Sequence, residues 1–115
     1  MNKKENISKV LKELGVPAHL KGYHYIRYAA ELLIDDISLI GYMTGIYCDV
    51  AEKFDDTPSR VERAIRNAIE VGWRRANVVF ANKMFGYTVD SNKGKPTNSE
   101  FIVTVADYIL MTRES

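Results

Sequence analysis

The chain has one cysteine, three prolines and one tryptophan in 115 residues, and almost no net charge. A lone thiol, Cys48, cannot close an internal disulfide, which excludes a disulfide-stapled scaffold and fits a reducing cytoplasm. No proline-rich linker, low-complexity tract or internal repeat interrupts the sequence. The longest apolar stretches are far too short to cross a bilayer, so no membrane association is expected. Met1-Asn2-Lys3-Lys4-Glu5 is charged and is not followed by a long apolar run, which argues against a signal peptide. His19 and His24 stand five apart with no cysteine or carboxylate cluster around them, so no metal site is expected. Glycine-rich phosphate loops and nucleophile–base signatures are also missing. The chain reads as a non-enzyme without a cofactor.

What is present suits one ordinary globular domain spanning 1–115, 46% hydrophobic and 27% charged, large enough to bury its own core. The net charge of +1 hides a strong sorting of charge along the chain. Residues 1–28 carry +4, 29–56 carry −6, 57–76 carry +3 and 77–95 carry +2. A local basic face, not the total, decides whether phosphate can be bound.

Hydrophobic periodicity predicts an all-α domain. The first helix is expected over about 7–14, with Ile7, Val10, Leu11 and Leu14 on one face and a stop at Gly15-Val16-Pro17. A second is expected over 20–35, and Gly41 and Gly45 are read as bracketing a loop or break. A third runs from 43 or 45 to 54. Thr57-Pro58 then reads as an N-cap followed by proline at the first helical position, opening a helix to about 76. A short helix over 78–85 is expected to end at Gly86 as a left-handed cap, with Tyr87-Thr88-Val89 extended beyond it. Thr97-Asn98-Ser99-Glu100 matches the capping box, with Phe101, Ile102, Val105, Ala106 and Ile109 on the core face of the last helix. Cys48 is read as a small buried residue, and Tyr23, Tyr25 and Tyr28 as straddling core and solvent. Trp73 is expected in the core, and the acidic residues around 35–36 and 49–56 read as a solvated face.

Two helices joined by a tight turn, the second one basic, form a helix-turn-helix. Here they are 45–54 and 58–76. On the second, Val61, Ala64, Ile65, Ala68 and Gly72 share a packing sector whose small residues let a neighbour approach closely. Ser59, Arg63, Arg66, Glu70 and Arg74 lie opposite, flanked by Arg60, Glu62 and Asn67. Such a helix fits the major groove of double-stranded DNA, where arginine forks match guanine and glutamate accepts from cytosine. Glu62, Arg63 and Arg66 are therefore the candidate base readers. Ser59, Arg60, Asn67, Arg74, Arg75, Lys93 and Lys95 are the candidates for the DNA backbone. Ser59-Arg60-Val61-Glu62 is itself a capping-box pattern, which offers Glu62 a purely structural role. An all-helical interaction module whose basic helix docks an acidic protein is the alternative reading.

Four stretches carry a resemblance to a known family, in order along nearly the whole chain. They are Val16-Pro17-Ala18-His19-Leu20-Lys21-Gly22-Tyr23, Ser59-Arg60-Val61-Glu62-Arg63-Ala64-Ile65-Arg66-Asn67-Ala68-Ile69-Glu70-Val71, Phe85-Gly86-Tyr87-Thr88-Val89 and Lys95-Pro96-Thr97-Asn98-Ser99-Glu100-Phe101. Together they resemble the effector domain of the stage zero sporulation protein A family of response regulators. The resemblance implies a six-helix domain that regulates transcription in endospore-forming bacteria and binds a TGTCGAA-type promoter element. It also implies contact with the RNA polymerase sigma subunit, for which 43–56 and 69–75 are the candidate surfaces, and a location at the nucleoid. Phosphorylation of a separate receiver domain would drive dimerisation, and the apolar final helix, 100–111, suits a homodimer on tandem sites. A doubly wound receiver does not fit within this chain, so an effector domain alone is expected. Departures from the family pattern fall mainly at 34–48, at 78–83 and in the C-terminal tail, away from the reading helix.

Overall fold

The computed structural model describes residues 2–86 and 94–113. Among these the chain forms six α-helices and one 3-10 helix. Helix α1, Lys3–Glu13, starts four residues earlier than its apolar pattern predicts. The Asn2 side chain accepts the Glu5 amide at 2.9 Å, and this cap lets a polar first turn join the helix. Gly15 follows α1 with φ +77, and a Cβ there would lie 2.7 Å from the Gly72 carbonyl oxygen. Only glycine satisfies both the left-handed backbone and that approach.

Helix α2, Lys21–Asp35, is the central element, buried along Tyr23, Tyr25, Ile26, Ala29, Ala30, Leu33 and Ile34. Tyr23 and Tyr25 are thus core residues, whereas Tyr28 is only partly buried. After Asp36 the chain does not open into a loop. It winds into a 3-10 helix, Ile37–Tyr42, capped by the Asp36 side chain, and passes directly into α3, Met43–Lys53. Gly45 therefore sits inside a helix rather than at the edge of a break.

Helix α4, Pro58–Arg75, begins as expected: Thr57 Oγ1 accepts the Arg60 amide at 3.3 Å, and Pro58 takes the first turn. Val61, Ile65, Ala68, Ile69 and Gly72 face the core. The small residues of this face meet α2 across Gly22, where a Cβ would fall 2.1 Å from the Ala64 carbonyl oxygen and 2.6 Å from Ala68 Cβ. Two helix backbones touch at that crossing.

Helix α5, Val78–Phe85, is capped by Asn77, whose side chain accepts the Phe80 amide. Gly86 has φ −51 and ψ −33, so it ends α5 in a right-handed turn and not in the left-handed cap expected of it. The extended stretch predicted for Tyr87-Thr88-Val89 lies outside the described residues. Helix α6, Asn98–Arg113, opens with the full capping box: the Thr97 amide donates to Glu100 Oε1 at 2.8 Å and the Glu100 amide to Thr97 Oγ1 at 3.1 Å. Phe101, Ile102, Val105, Ala106 and Ile109 are all buried. Edge-on contact between Trp73 and Phe85 and stacking of Phe85 on Phe101, with ring centres 5.2 Å and 5.7 Å apart, fasten α5 between α4 and α6. Trp73 itself is half-buried.

Candidate nucleic-acid interface

The turn between α3 and α4 sets the direction of α4 by local rules. Phe54 closes α3, Asp55 takes φ 54, and the Asp56 amide returns to the Ala51 carbonyl at 2.8 Å. The Asp55 amide reaches Glu52, which completes a Schellman stop with aspartate in the position usually held by glycine. Four residues later the chain is helical again, as a helix-turn-helix requires.

Asp56 ties this turn to the centre of the domain. Its Oδ2 accepts the Tyr25 hydroxyl of α2 at 2.6 Å, its Oδ1 accepts the Thr57 amide at 2.9 Å, and Arg60 approaches Oδ1 at 3.9 Å. The Tyr25 hydroxyl and then the Thr57 amide hold the Asp56 carboxyl below its ordinary value. Burial, together with the neighbouring carboxylate, pushes the Tyr25 phenol up to about 12. The acidic run around Asp56 is therefore not merely a solvated face.

On α4 the expected reading face is outside. Ser59, Arg60, Glu62, Arg63, Asn67, Arg74 and Arg75 are all exposed. Because Thr57 supplies the cap, Glu62 is not needed to close a capping box with Ser59. Among the described residues no hydrogen bond or ion pair engages the side chain of Glu62 or Arg63. Both project from the first two turns with their donors and acceptors available.

Arg66 is differently placed. It is half-buried, and its Nη1 donates to the Pro96 carbonyl at 3.0 Å while its Nε lies 3.8 Å from Glu70 Oε2. Nε and Nη2 are buried without a hydrogen-bond partner among the described residues. Lys95 reaches the same Glu70 oxygen at 3.5 Å. Asn98 Nδ2 donates to the Glu62 carbonyl at 3.0 Å. The segment leading into α6 is thus fastened along the flank of α4 at Glu62, Arg66 and Glu70. That brings Lys95 beside α4 although 25 positions separate it from Glu70 in sequence. Lys93 lies outside the described residues.

The sequence missed Glu70, Pro96, Asn98 and the Tyr25–Asp56 pair. Their partners are distant in sequence, and only the box at Thr97 hinted that this segment is structured. Arg75 sits at the opposite end of α4, in a groove shared with Lys9, Lys12, Pro17 and Tyr23. Cys48 is exposed on α3, against the expectation that it is buried. His19 is exposed, and His24 Nε2 lies 2.9 Å from the Ala18 carbonyl oxygen. No cluster of metal-ligating side chains occurs among the described residues, and no described helix is long and apolar enough to cross a membrane.

A basic helix follows a tight turn, with Ser59, Arg60, Glu62 and Arg63 exposed in its first two turns and its small-residue face sunk into the core. Residues 7–109 match the family model described as sporulation initiation factor Spo0A C terminal. The match covers nearly the whole chain, including every helix that positions α4. The chain therefore belongs to the sporulation initiation factor Spo0A C-terminal family, and is a DNA-binding regulatory domain of sporulation initiation.

Proposed function

We propose that this domain reads a short promoter element of the TGTCGAA type with the first turns of α4. The observation that carries the reading is the pair Glu62 and Arg63: exposed, without a side-chain hydrogen bond or ion pair among the described residues, and presented by a helix start locked through Thr57 and Asp56. Arg63 can fork onto guanine O6 and N7 while Glu62 accepts from cytosine N4, chemistry that a CG step offers on its two bases. Arg66 joins them by moving off Glu70, since its Nε and Nη2 have no hydrogen-bond acceptor among the described residues.

Ser59, Arg60, Asn67 and Lys95 flank this set and serve the phosphates bordering the groove, a role proposed for Lys93 as well. Arg74 and Arg75 lie about 17 Å beyond Arg63 along the helix axis and serve the flanking backbone. On the same reading the domain contacts the RNA polymerase sigma subunit through a surface outside the reading face. Two copies pair on tandem sites, and the domain acts in the cytoplasm at the nucleoid.

Electrophoretic mobility shifts on a TGTCGAA-containing duplex and a scrambled duplex, repeated across salt concentrations, test the reading. Preference for the first at every salt concentration is expected. Equal affinity for both would favour an interaction module that binds nucleic acid only through its charge.

A further inference from the structure

Glu70 is the one acidic residue on the exposed flank of α4 beyond its first turns, and two of the DNA-facing cations converge on it. Arg66 Nε lies 3.8 Å and Lys95 Nζ 3.5 Å from the same oxygen, Oε2. The three side chains are each between a third and a half exposed, but Arg66 Nε and Nη2 are themselves buried, so Arg66 must shift before another anion can reach them. The opposite side of Arg66 is held by the Pro96 carbonyl, one residue from Lys95. An anionic oxygen that gathers an arginine and a lysine from two elements has the chemistry of a backbone phosphate oxygen.

We infer that Glu70 is an affinity-setting residue of the DNA site, an internal counter-anion that occupies Arg66 and Lys95 while no DNA is bound. The inference rests on the reading of α4 as the DNA-binding helix. On binding, the two cations leave Glu70 for DNA, and Glu70 turns to solvent and takes up a counterion. Each cation's gain on DNA is thereby reduced by what it gives up on Glu70. That loss is modest, because partly exposed ion pairs are weak. Lys95 meets phosphate on any duplex, so its share lowers non-specific binding too, while the share of Arg66 bears on the bases it reads beside Glu62 and Arg63. The uptake of one counterion also makes binding less salt-dependent than the number of phosphate contacts alone requires.

The test compares four full-length chains: wild type, E70Q, the double variant R66A/K95A, and the triple variant. Each is titrated by fluorescence anisotropy with the TGTCGAA duplex and a scrambled duplex over a salt series that begins at low salt. E70Q is expected to bind both duplexes about 3- to 10-fold tighter, as expected for release of two weak ion pairs. Its slope of log K against log salt should steepen by up to about one. Adding E70Q to R66A/K95A should give little further gain. The same gain in both backgrounds would mean that Glu70 merely repels DNA as a distant charge, and no gain in either would mean it holds nothing back; both outcomes overturn the inference. Wild type that binds neither duplex would instead overturn the assignment of α4 itself. Melting curves of the wild type and the three variants confirm that each is folded.

Discussion

The Tyr25 hydroxyl, in the middle of α2, donates to the carboxylate of Asp56, the residue two before the start of α4, at 2.6 Å. The other oxygen of that carboxylate accepts the amide of the N-cap residue Thr57. One side chain thus joins the buried helix α2 to the first turn of α4. A DNA-binding helix must be held rigidly where it meets the core, because its base contacts tolerate little displacement.

Loss of the Tyr25 hydroxyl is therefore expected to lower both stability and DNA affinity. Tyr25→Phe should reduce Tm by roughly 4–8 °C, the effect of one hydrogen bond in a domain of this size. Thermal melts followed by circular dichroism check this.

The same pair predicts two pH limits. The Asp56 carboxyl is lowered on folding, so its contribution is present above its ordinary value of 3.8 and is lost as pH falls below it. The Tyr25 phenol is raised to about 12, so its contribution is complete below pH 10 and is lost as pH rises toward 12. Asp56→Asn should be less stable at neutral pH and show a shallower loss of stability on the acid limb. Melts of wild type and variant from pH 2.5 to 7 decide this; parallel curves would assign the acid loss to other groups.

Gly22→Ala should be among the most damaging small substitutions in the chain. Its methyl group would sit 2.1 Å from the Ala64 carbonyl oxygen, a backbone atom that cannot move aside without lifting α2 from α4. Overpacking of this kind costs about 1–3 kcal/mol, more than the helix propensity gained by replacing glycine. Urea unfolding should show the midpoint fall, with specific DNA binding weakened in parallel because α4 is displaced.

Lys95→Ala should weaken binding to all duplexes alike and reduce the salt slope by about one phosphate contact, without altering the order of sequence preference. Anisotropy on a panel of single-base variants of the duplex separates this from a loss of specificity.

How far the sequence could be read depended on whether a residue's partner was close to it along the chain. The caps at Thr57 and Thr97 lie within one helical turn of what they bond, and both form as their patterns predict. The packing face of α4 was legible for the same reason, since helical spacing alone sorts Val61, Ile65, Ala68 and Gly72 from Arg63. Asn2 was missed because a polar first turn has no hydrophobic period to mark it. The 3-10 helix after Asp36 was hidden by glycines that suggested a break. Cys48 was placed inside because its residue type is usually buried, whereas its position on α3 faces away from α2 and α4. Gly86 shows that a glycine after a helix permits a left-handed cap without requiring one. Arg66 shared the right face with Arg63, yet its surroundings are decided by Pro96 and Glu70. The first of these is reached only through the long fold-back into α6, and no local pattern encodes that.

Whether Arg63 reads a base through the exposed start of α4 is decided by a double-mutant cycle between protein and DNA. Dissociation constants are measured for wild type and Arg63→Ala on the TGTCGAA duplex and on each duplex with one G·C pair replaced. At one base pair, and one only, wild type should lose about 1–3 kcal/mol on replacement while Arg63→Ala loses almost nothing. Equal losses by both proteins at every position would show that Arg63 contributes charge alone, and that the reading of α4 set out here is wrong.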